Sequence, residues 1–374
     1  MVTAGLYLIA KLSFLFILAP FTLTIIAVLG TVTALLGATV ALTQTDIKKV
    51  LAYSTVSQLG YMFLAMGVGA FGAGIFHVLT HAFFKALLFL GAGAVIHALH
   101  HEQDMRRMGG LRQRLPWTYA TMLIGTLAIS GIPLFSGFFS KDEILWSAYS
   151  SPFGSPVLWL FGFLTAGLTS FYMFRMIYLT FHGAFRGAHA ESIHEPPMSM
   201  VLPLIVLAVL AAFGGFLGVP HALHFLPNGM EAYFHGFFAE IELHGSVIEE
   251  LGLMVMSVVL ALIAWGLASR RYRNGWPRAI DPDSLLAGAE RFSLQNWNAD
   301  AVYATMVVRP FHHISHSVLW KTFDRYAIEG LLQGVAKLQR TGGYWFQQMQ
   351  NGSVQHYATI FTVSTFLLLL WIQL

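Results

Sequence analysis

The sequence predicts an all-α, polytopic membrane protein with about nine transmembrane helices, one of them broken, and a long lateral amphipathic helix on the cytoplasmic side. Three observations carry that prediction. Hydrophobic residues make up 56% of the 374 and charged residues only 10%, where soluble domains carry about 25% charged. Apolar stretches of about 20 residues, the length that crosses a bilayer core, recur along most of the chain. Lysine and arginine sit on alternate connections between those stretches, the pattern that orients membrane proteins. The net charge of +3 and the pI near 9.0 therefore express topology rather than nucleic-acid binding. The chain has no cysteine, which excludes thiolate-held iron–sulfur clusters, disulfides and Cys-ligated zinc.

The spans fall near residues 1–18, 21–44, 50–70, 72–98, 116–149, 156–181, 200–219, 247–268 and 355–374. The first begins MVTAGLYLIAKL, with no basic leader and no small-residue cleavage site, so it reads as a helix entered partway rather than a signal peptide. Lys48 and Lys49 follow the second span, Arg106, Arg107, Arg112 and Arg114 the fourth, Arg186 the sixth, and Arg270, Arg271, Arg273 and Arg278 the eighth. Those loops are expected to face the cytoplasm. The opposite connections, near 67–73, 150–156 and 218–246, contain no Lys or Arg, and the last carries Glu231, Glu240 and Glu242. Asp46 stands where a helix N-cap belongs. GVGAFGAG at 67–74 has no strand before it and reads as a turn between membrane helices, not a phosphate loop. The cluster at 99–114 reads as a solvated cytoplasmic loop.

Residues 285–350 are too polar to span. Phe311, Ile314 and Val318, then Leu331, Val335 and Leu338, recur at helical spacing, which predicts an interfacial amphipathic helix on the order of 100 Å long if continuous. Pro310 and Gly342-Gly343 are the expected kinks or breaks.

Two constellations carry chemistry. In LAISGIPLFSGFFSKDEI, residues 127–144, Pro133 has no N–H to donate and clashes with the preceding turn, so the span is expected to split near Gly131, Pro133 and Gly137 and to free backbone carbonyls at depth. Lys141, Asp142 and Glu143 follow at once. An intramembrane lysine costs several kcal/mol unless paired, hydrated or deprotonated, which points to an ion or proton site. The second constellation is His77, His81 and Lys85 in IFHVLTHAFFKALLFL, an i, i+4, i+8 series that places three titratable tips on one helix face. Histidine exchanges protons near neutral pH, and a desolvated lysine can be drawn toward that range, so the series suggests a water-bridged relay. Two such histidines could hold zinc, but HEXXH is absent and no third ligand is evident. Arg175, in SFYMFRMIYLTFHG, reads equally as an interfacial anchor or a pathway residue.

TQTDIKKVLAYSTVSQLGYMFLA, FHVLTHAFFKALLFL, MGGLRQRLP, GFFSKDEIL and SFYMFRMI together resemble the antiporter-like L subunits of respiratory complex I, within the superfamily shared with Mrp antiporters. The resemblance implies five divisions. Residues 1–20 are the remnant of the last helix of a first repeat, 21–183 an antiporter-like five-helix repeat, 184–284 two additional spans and their loops, 285–350 the lateral helix and 351–374 a terminal anchor. It implies that Lys141, Lys85, His81, His77, Asp142 and Lys48 lie on a proton pathway, with Arg175 as a pathway or anchoring residue. It also implies antiporter-like M and N subunits as partners, membrane lipid but no nucleic acid around the chain, and a bacterial inner membrane as its location. NADH, FMN, iron–sulfur clusters and quinone would then reside in other subunits and none in this chain. Relatives of this kind begin with about seven further helices, so the chain is expected to be a C-terminal fragment. An Mrp-type Na⁺/H⁺ antiporter subunit and a non-conducting scaffold are the competing readings.

Overall fold

Hydrocarbon offers the backbone no hydrogen-bond partner, so a chain this apolar must satisfy its peptide groups within helices. The computed structural model describes residues 2–187, 193–220, 223, 228–239, 241–276 and 285–374, and among them every regular element is helical. Arg278 and Glu240 lie outside the described residues. The chain divides into two compact units, Met1–Trp297 and Asn298–Leu374.

The first unit opens with α1 (Val2–Lys11) and a short α2 (Ser13–Phe16). The single span expected over 1–18 is thus two short helices, because the backbone leaves helical geometry at Leu12 (φ −97°, ψ 21°). Pro20 opens α3 (Pro20–Thr43), where its missing N–H costs nothing. Asp46 then caps α4 (Ile47–Gly67) by accepting from the backbone N–H of Lys48 and Lys49 at 2.8 and 3.2 Å, as its position predicts. α3 and α4 pack backbone to backbone. A Cβ on Gly30, Gly37 or Gly60 would strike the main chain of the facing helix, and this close approach is how membrane helices associate without hydrophobic drive.

Val68–Ala70 forms the expected turn into α5 (Phe71–Ala98), with Gly69 at φ +81°. The broken span follows as α6 (Pro116–Ile129) and α7 (Ser136–Ser150), then α8 (Pro156–Phe181), α9 (Met198–Phe213), α10 (Gly229–Phe234), α11 (Val247–Tyr272) and α12 (Leu285–Leu294). Six described helices are long and apolar enough to cross a membrane: α3, α5, α8, α9 with its continuation to Leu217, α11 and Val354–Gln373. α4 is less apolar because it buries Ser54, Ser57 and Gln58 inside the protein.

The connections sort into two ends. At one, the Asp46 segment bridges Asp104, and the Arg186 guanidinium donates to the carbonyls of Arg106, Met105 and Leu179 at 3.0, 3.0 and 2.7 Å. The 99–114 connection is not simply solvated: Met105, Met108 and Leu111 are fully buried, while Arg106 and Arg107 stay outside and pair with Asp104 and Glu102. At the other end, Ser151 donates to the Val68 carbonyl at 2.6 Å, the His244 N–H to Ser150 at 3.0 Å, and the Ala239 N–H to Ser13 at 2.9 Å. The Lys- and Arg-bearing connections are thus held apart from those that lack them.

In the second unit, helix runs without interruption from Ala299 to Met349, widening to π-type turns over Ala304–Val308 and Ile314–Glu329. The kinks expected at Pro310 and Gly342-Gly343 do not break it. Pro310 sits at the second position of an α-helical turn that follows a π-type one, where a missing N–H is tolerated. The break falls earlier, at Asn296, Trp297 and Asn298, all at positive φ. At about 1.5 Å per residue, 299–349 is on the order of 75 Å long. Its apolar residues Phe311, Ile314, Val318, Leu331, Val335 and Leu338 are exposed in the single chain.

Candidate functional site

The site grows out of the break between α6 and α7. α6 ends at Ile129, and the chain turns through Gly131 (φ +73°) and Leu134 (φ +74°) around Pro133 before α7 begins at Ser136. The left-handed geometry at Gly131 is one that glycine adopts without strain. A helix that ends here leaves its last carbonyls without intrahelical partners. One of them finds Lys141, whose Nζ donates to the Ile129 carbonyl at 2.8 Å. Gly137 is not part of the break. It lies inside α7, against the Ala128 carbonyl, where any side chain would collide, and so lets the second half-helix close onto the end of the first.

Lys141 is 2% exposed and faces the Tyr61 ring at 5.2 Å. Its neighbour in sequence, Ser140, faces α5. The Ser140 hydroxyl is 2.9 Å from His77 Nδ1 and 2.8 Å from the Thr80 hydroxyl, and it donates to the Ser136 carbonyl at 3.3 Å. His77 Nε2 lies 3.2 Å from Gln58 Oε1 on α4. One turn along α5, His81 stacks edge-on against Phe84, and its ring centroid stands 6.3 Å from that of His77. Its Nε2 has no hydrogen-bond partner among the described residues. A further turn on, Lys85 Nζ donates to the Leu51 carbonyl at 3.0 Å and to the Ser54 hydroxyl at 2.8 Å, which also accepts from Tyr172 at 3.0 Å. His77, His81 and Lys85 are therefore buried on one face, as their spacing predicts.

The remaining candidates separate. Asp142 is buried beside Ser257 of α11 in a small cavity shared with Glu250. Lys48 is exposed in the first turn of α4 and does not join the buried line. Arg175 is buried: its guanidinium donates to the Gln44 carbonyl at 2.9 Å and lies 5.6 Å from the rings of Tyr272 and Trp276. Inside the protein it caps the end of α3 rather than reaching a headgroup. No group of His, Asp and Glu that could hold a metal occurs among the described residues.

Sequence reasoning did not single out Ser140, Thr80, Gln58, Ser54 and Tyr172, the polar side chains that connect the titratable ones. A signal was present for two of them. Ser54 and Gln58 are four residues apart in an apolar helix, and so share one face.

Residues 1–169 match the family described as NADH:quinone oxidoreductase/Mrp antiporter, transmembrane. NAD(P)H-quinone oxidoreductase chain 5 of Picosynechococcus sp. is 43% identical over 96% of this chain and 57% of its own length. NADH-quinone oxidoreductase subunit L of Escherichia coli is 40% identical over 99% of this chain and 57% of its own length. The chain thus spans little more than half the length of these curated relatives. Among solved structures, the Mrp complex from Dietzia sp. is similar with a TM-score of 0.59 and 25% identity, over 92% of this chain and 36% of that one. The membrane-bound sulfane sulfur reductase, an archaeal respiratory membrane complex, shares the fold with a TM-score of 0.52 and 23% identity, over 92% of this chain and 55% of that one. Residues 1–169 of this multi-pass membrane protein are therefore similar to the transmembrane domain of the NADH:quinone oxidoreductase/Mrp antiporter family, and the chain is similar to the subunit L and chain 5 proteins over little more than half of their length.

Proposed function

We propose that this chain acts as a proton-translocating membrane-arm subunit of an NADH:quinone oxidoreductase in a bacterial cell membrane. Quinone reduction elsewhere in the complex drives it, and NADH, FMN, iron–sulfur clusters and quinone belong to other subunits. The observation that carries the reading is Lys141, an ammonium-bearing side chain buried on the second half of a broken helix and bonded to the freed Ile129 carbonyl. Such a residue in a membrane-spanning segment is a functional site by default. Protons entering near the Lys48 end reach Lys85, pass along His81 and His77 and cross Ser140 to Lys141. Water bridges the steps that lack a direct hydrogen bond.

In this reading α1–α2, α3, α4, α5, α6–α7, α8, α9, α11 and Val354–Gln373 make nine crossings, and the basic connections face the cytoplasm. Residues 21–183 form the antiporter-like repeat. The helix 299–349 lies at the membrane surface against neighbouring antiporter-like subunits, its exposed apolar stripe being the support for that role.

The test is Lys141→Ala in the assembled complex. NADH-driven proton uptake by membrane vesicles should fall sharply per electron transferred while the complex still assembles, and a normal ratio would overturn the assignment. The similarity to the Mrp complex supports a second reading, a Na⁺/H⁺ antiporter subunit. It predicts Na⁺-dependent proton flux that persists without NADH and is lost in the same variant.

A further inference from the structure

Adjacent positions on a helix point about 100° apart, so α7 carries its two most unusual charges on different sides. Lys141 faces Ile129 and Tyr61, toward α6 and α4, while Asp142 faces α11. Asp142 is 7% exposed, and its Oδ2 has no hydrogen-bond partner among the described residues. A buried carboxylate oxygen is not left bare without cost, since the lost solvation is worth on the order of 1–3 kcal/mol or more for a charged group. Asp142 borders a cavity of about 10 Å³ lined also by Leu145, Trp146, Glu250, Leu253, Met254 and Ser257. That is close to the volume a single water requires, and the carboxylates and hydroxyl around it supply the polar partners that a buried water needs.

Ser257 and Glu250 lie on α11, two turns apart on one face of the helix, outside the segment that matches the antiporter family. Ser257 is buried with Asp142, whereas Glu250 is half-buried at the acidic first turn of α11, near Glu143. Glu143 and Glu231, with His235, line an open cavity of about 270 Å³ at the end of the molecule that carries none of the arginine-rich connections. Polar groups therefore continue from the small cavity lined by Asp142 and Glu250, by way of Glu143 near Glu250, to the open acidic vestibule.

We propose that Asp142, Ser257 and Glu250, joined by one buried water, form a proton-release relay that carries protons from the Lys141 side of α7 to the vestibule of Glu143, Glu231 and His235. The proton that leaves Lys141 is taken by the Asp142 carboxylate. It then moves through the water and the Ser257 hydroxyl, which accepts one proton as it gives another, to the Glu250 carboxylate and out to solvent. No covalent bond other than O–H and N–H is made or broken; Asp142 returns to its starting state when it passes the proton on, and Lys141 does so when the line through His77 and Ser140 delivers the next proton. α11 on this account supplies the exit for a site built by the repeat, and the proposal rests on Lys141 being a proton carrier.

The experiment measures protons taken up per NADH oxidised in vesicles containing the complete complex, for Glu250→Gln, Ser257→Ala and Ser257→Thr beside Lys141→Ala. Glu250→Gln and Ser257→Ala should each reproduce most of the loss seen with Lys141→Ala, and Ser257→Thr, which keeps the hydroxyl, should recover it. A wild-type ratio in either Glu250→Gln or Ser257→Ala overturns the relay, as does a loss in Ser257→Ala that threonine does not recover. If Ser257→Ala fails to assemble on a native gel, Glu250→Gln, at a half-buried position, decides alone. A wild-type ratio in Lys141→Ala itself overturns the underlying function. Loss there with normal Glu250→Gln and Ser257→Ala overturns only the relay.

Discussion

Ser140→Ala tests the buried line at its narrowest point. The Ser140 hydroxyl joins two helices, lying 2.9 Å from His77 Nδ1 on α5 and 2.8 Å from the Thr80 hydroxyl, while it is anchored on α7 through Ser136. Alanine removes all three contacts and leaves a fully buried imidazole nitrogen without its partner. Thr80 keeps its 3.2 Å bond to the His77 carbonyl, and His77 keeps Gln58. Net hydrogen bonds are worth about 1 kcal/mol each, and side-chain bonds between membrane helices average about 0.6 kcal/mol. The two lost interhelical bonds, to His77 and Thr80, therefore cost about 1–2 kcal/mol, too little to unfold a helix pair this extensively packed.

The same 1–2 kcal/mol, appearing in the barrier to proton transfer between His77 and Lys141, slows transfer about 5- to 30-fold. The assay is the initial rate of NADH-driven proton uptake in vesicles, normalised to NADH oxidation and to assembled complex on a native gel. Thr80→Val is the comparison, since it removes a hydroxyl from the same cluster but leaves the His77–Ser140 contact. Ser140→Ala should slow uptake well beyond Thr80→Val. Wild-type rates in assembled Ser140→Ala complex would refute the step through Ser140, and equal effects of the two variants would reduce the serine to a packing element.

His81→Gln keeps size and hydrogen bonding but does not titrate near neutral pH, so proton transfer should slow with little loss of assembly; poor assembly with normal pumping by the surviving complex would make His81 a structural residue. Deleting 298–374 leaves the Ser293 hydroxyl bonded to the Thr39 carbonyl at 2.8 Å, so the first unit should still insert while retention of neighbouring antiporter-like subunits weakens. Full assembly of that deletion in detergent would remove the clamp role. Glu102 is held below its usual pKa by the backbone N–H groups of Asp104 and Gln103 and by Arg107. Because the folded pKa is the lower one, its contribution is complete above the unfolded value of 4.5 and fades as pH falls through the folded value. Amide exchange at Gln103 and Asp104 should therefore accelerate only as pH falls below 4.5, and Glu102→Gln should show the faster exchange already at neutral pH; unchanged exchange in that variant refutes the anchor.

Sequence periodicity and charge made most of the site legible, and the limits of each explain what stayed hidden. The i, i+4, i+8 spacing of His77, His81 and Lys85 determines a shared helix face regardless of tertiary structure, and Pro133 determines a break because its chemistry is local. Gly137 was legible only as a glycine near that break. Whether it bends the chain or admits a neighbour depends on where the Ala128 carbonyl comes to rest, which is a tertiary fact. Lys48 shows a different limit: only the family resemblance put it on a pathway, and the local sequence, with Asp46 as the cap, sets it in an exposed first turn. Ser140 and Thr80 were hidden because hydroxyls are common on apolar helices, where they usually bond back to their own turn; what distinguishes these two is a partner 60 residues away.

The break and the lysine are best understood as one device. α6 ends at Ile129 with the negative end of its dipole pointing into the protein; the carbonyls of Thr126, Leu127 and Ala128 are taken by the N–H groups of Ser130, Ile132 and Gly131, and that of Ile129 is left for Lys141. An ammonium at that point gains from the dipole as well as from the hydrogen bond, so the half-helix end offsets part of the cost of burying Lys141. Continuous helix would have consumed the carbonyl and left the lysine only the Tyr61 ring. The favourable field acts on the protonated form alone. A small displacement of α6 relative to α7 therefore changes how readily Lys141 holds its proton, and the contact of Gly137 with Ala128 sets the distance at which that happens. On an adjacent side of the same helix Asp142 has no such dipole to answer, only Ser257 and a small cavity shared with Glu250. One short segment thus places a donor held by a helix end next to an acceptor whose remaining oxygen is open, and that asymmetry can give a proton site a direction.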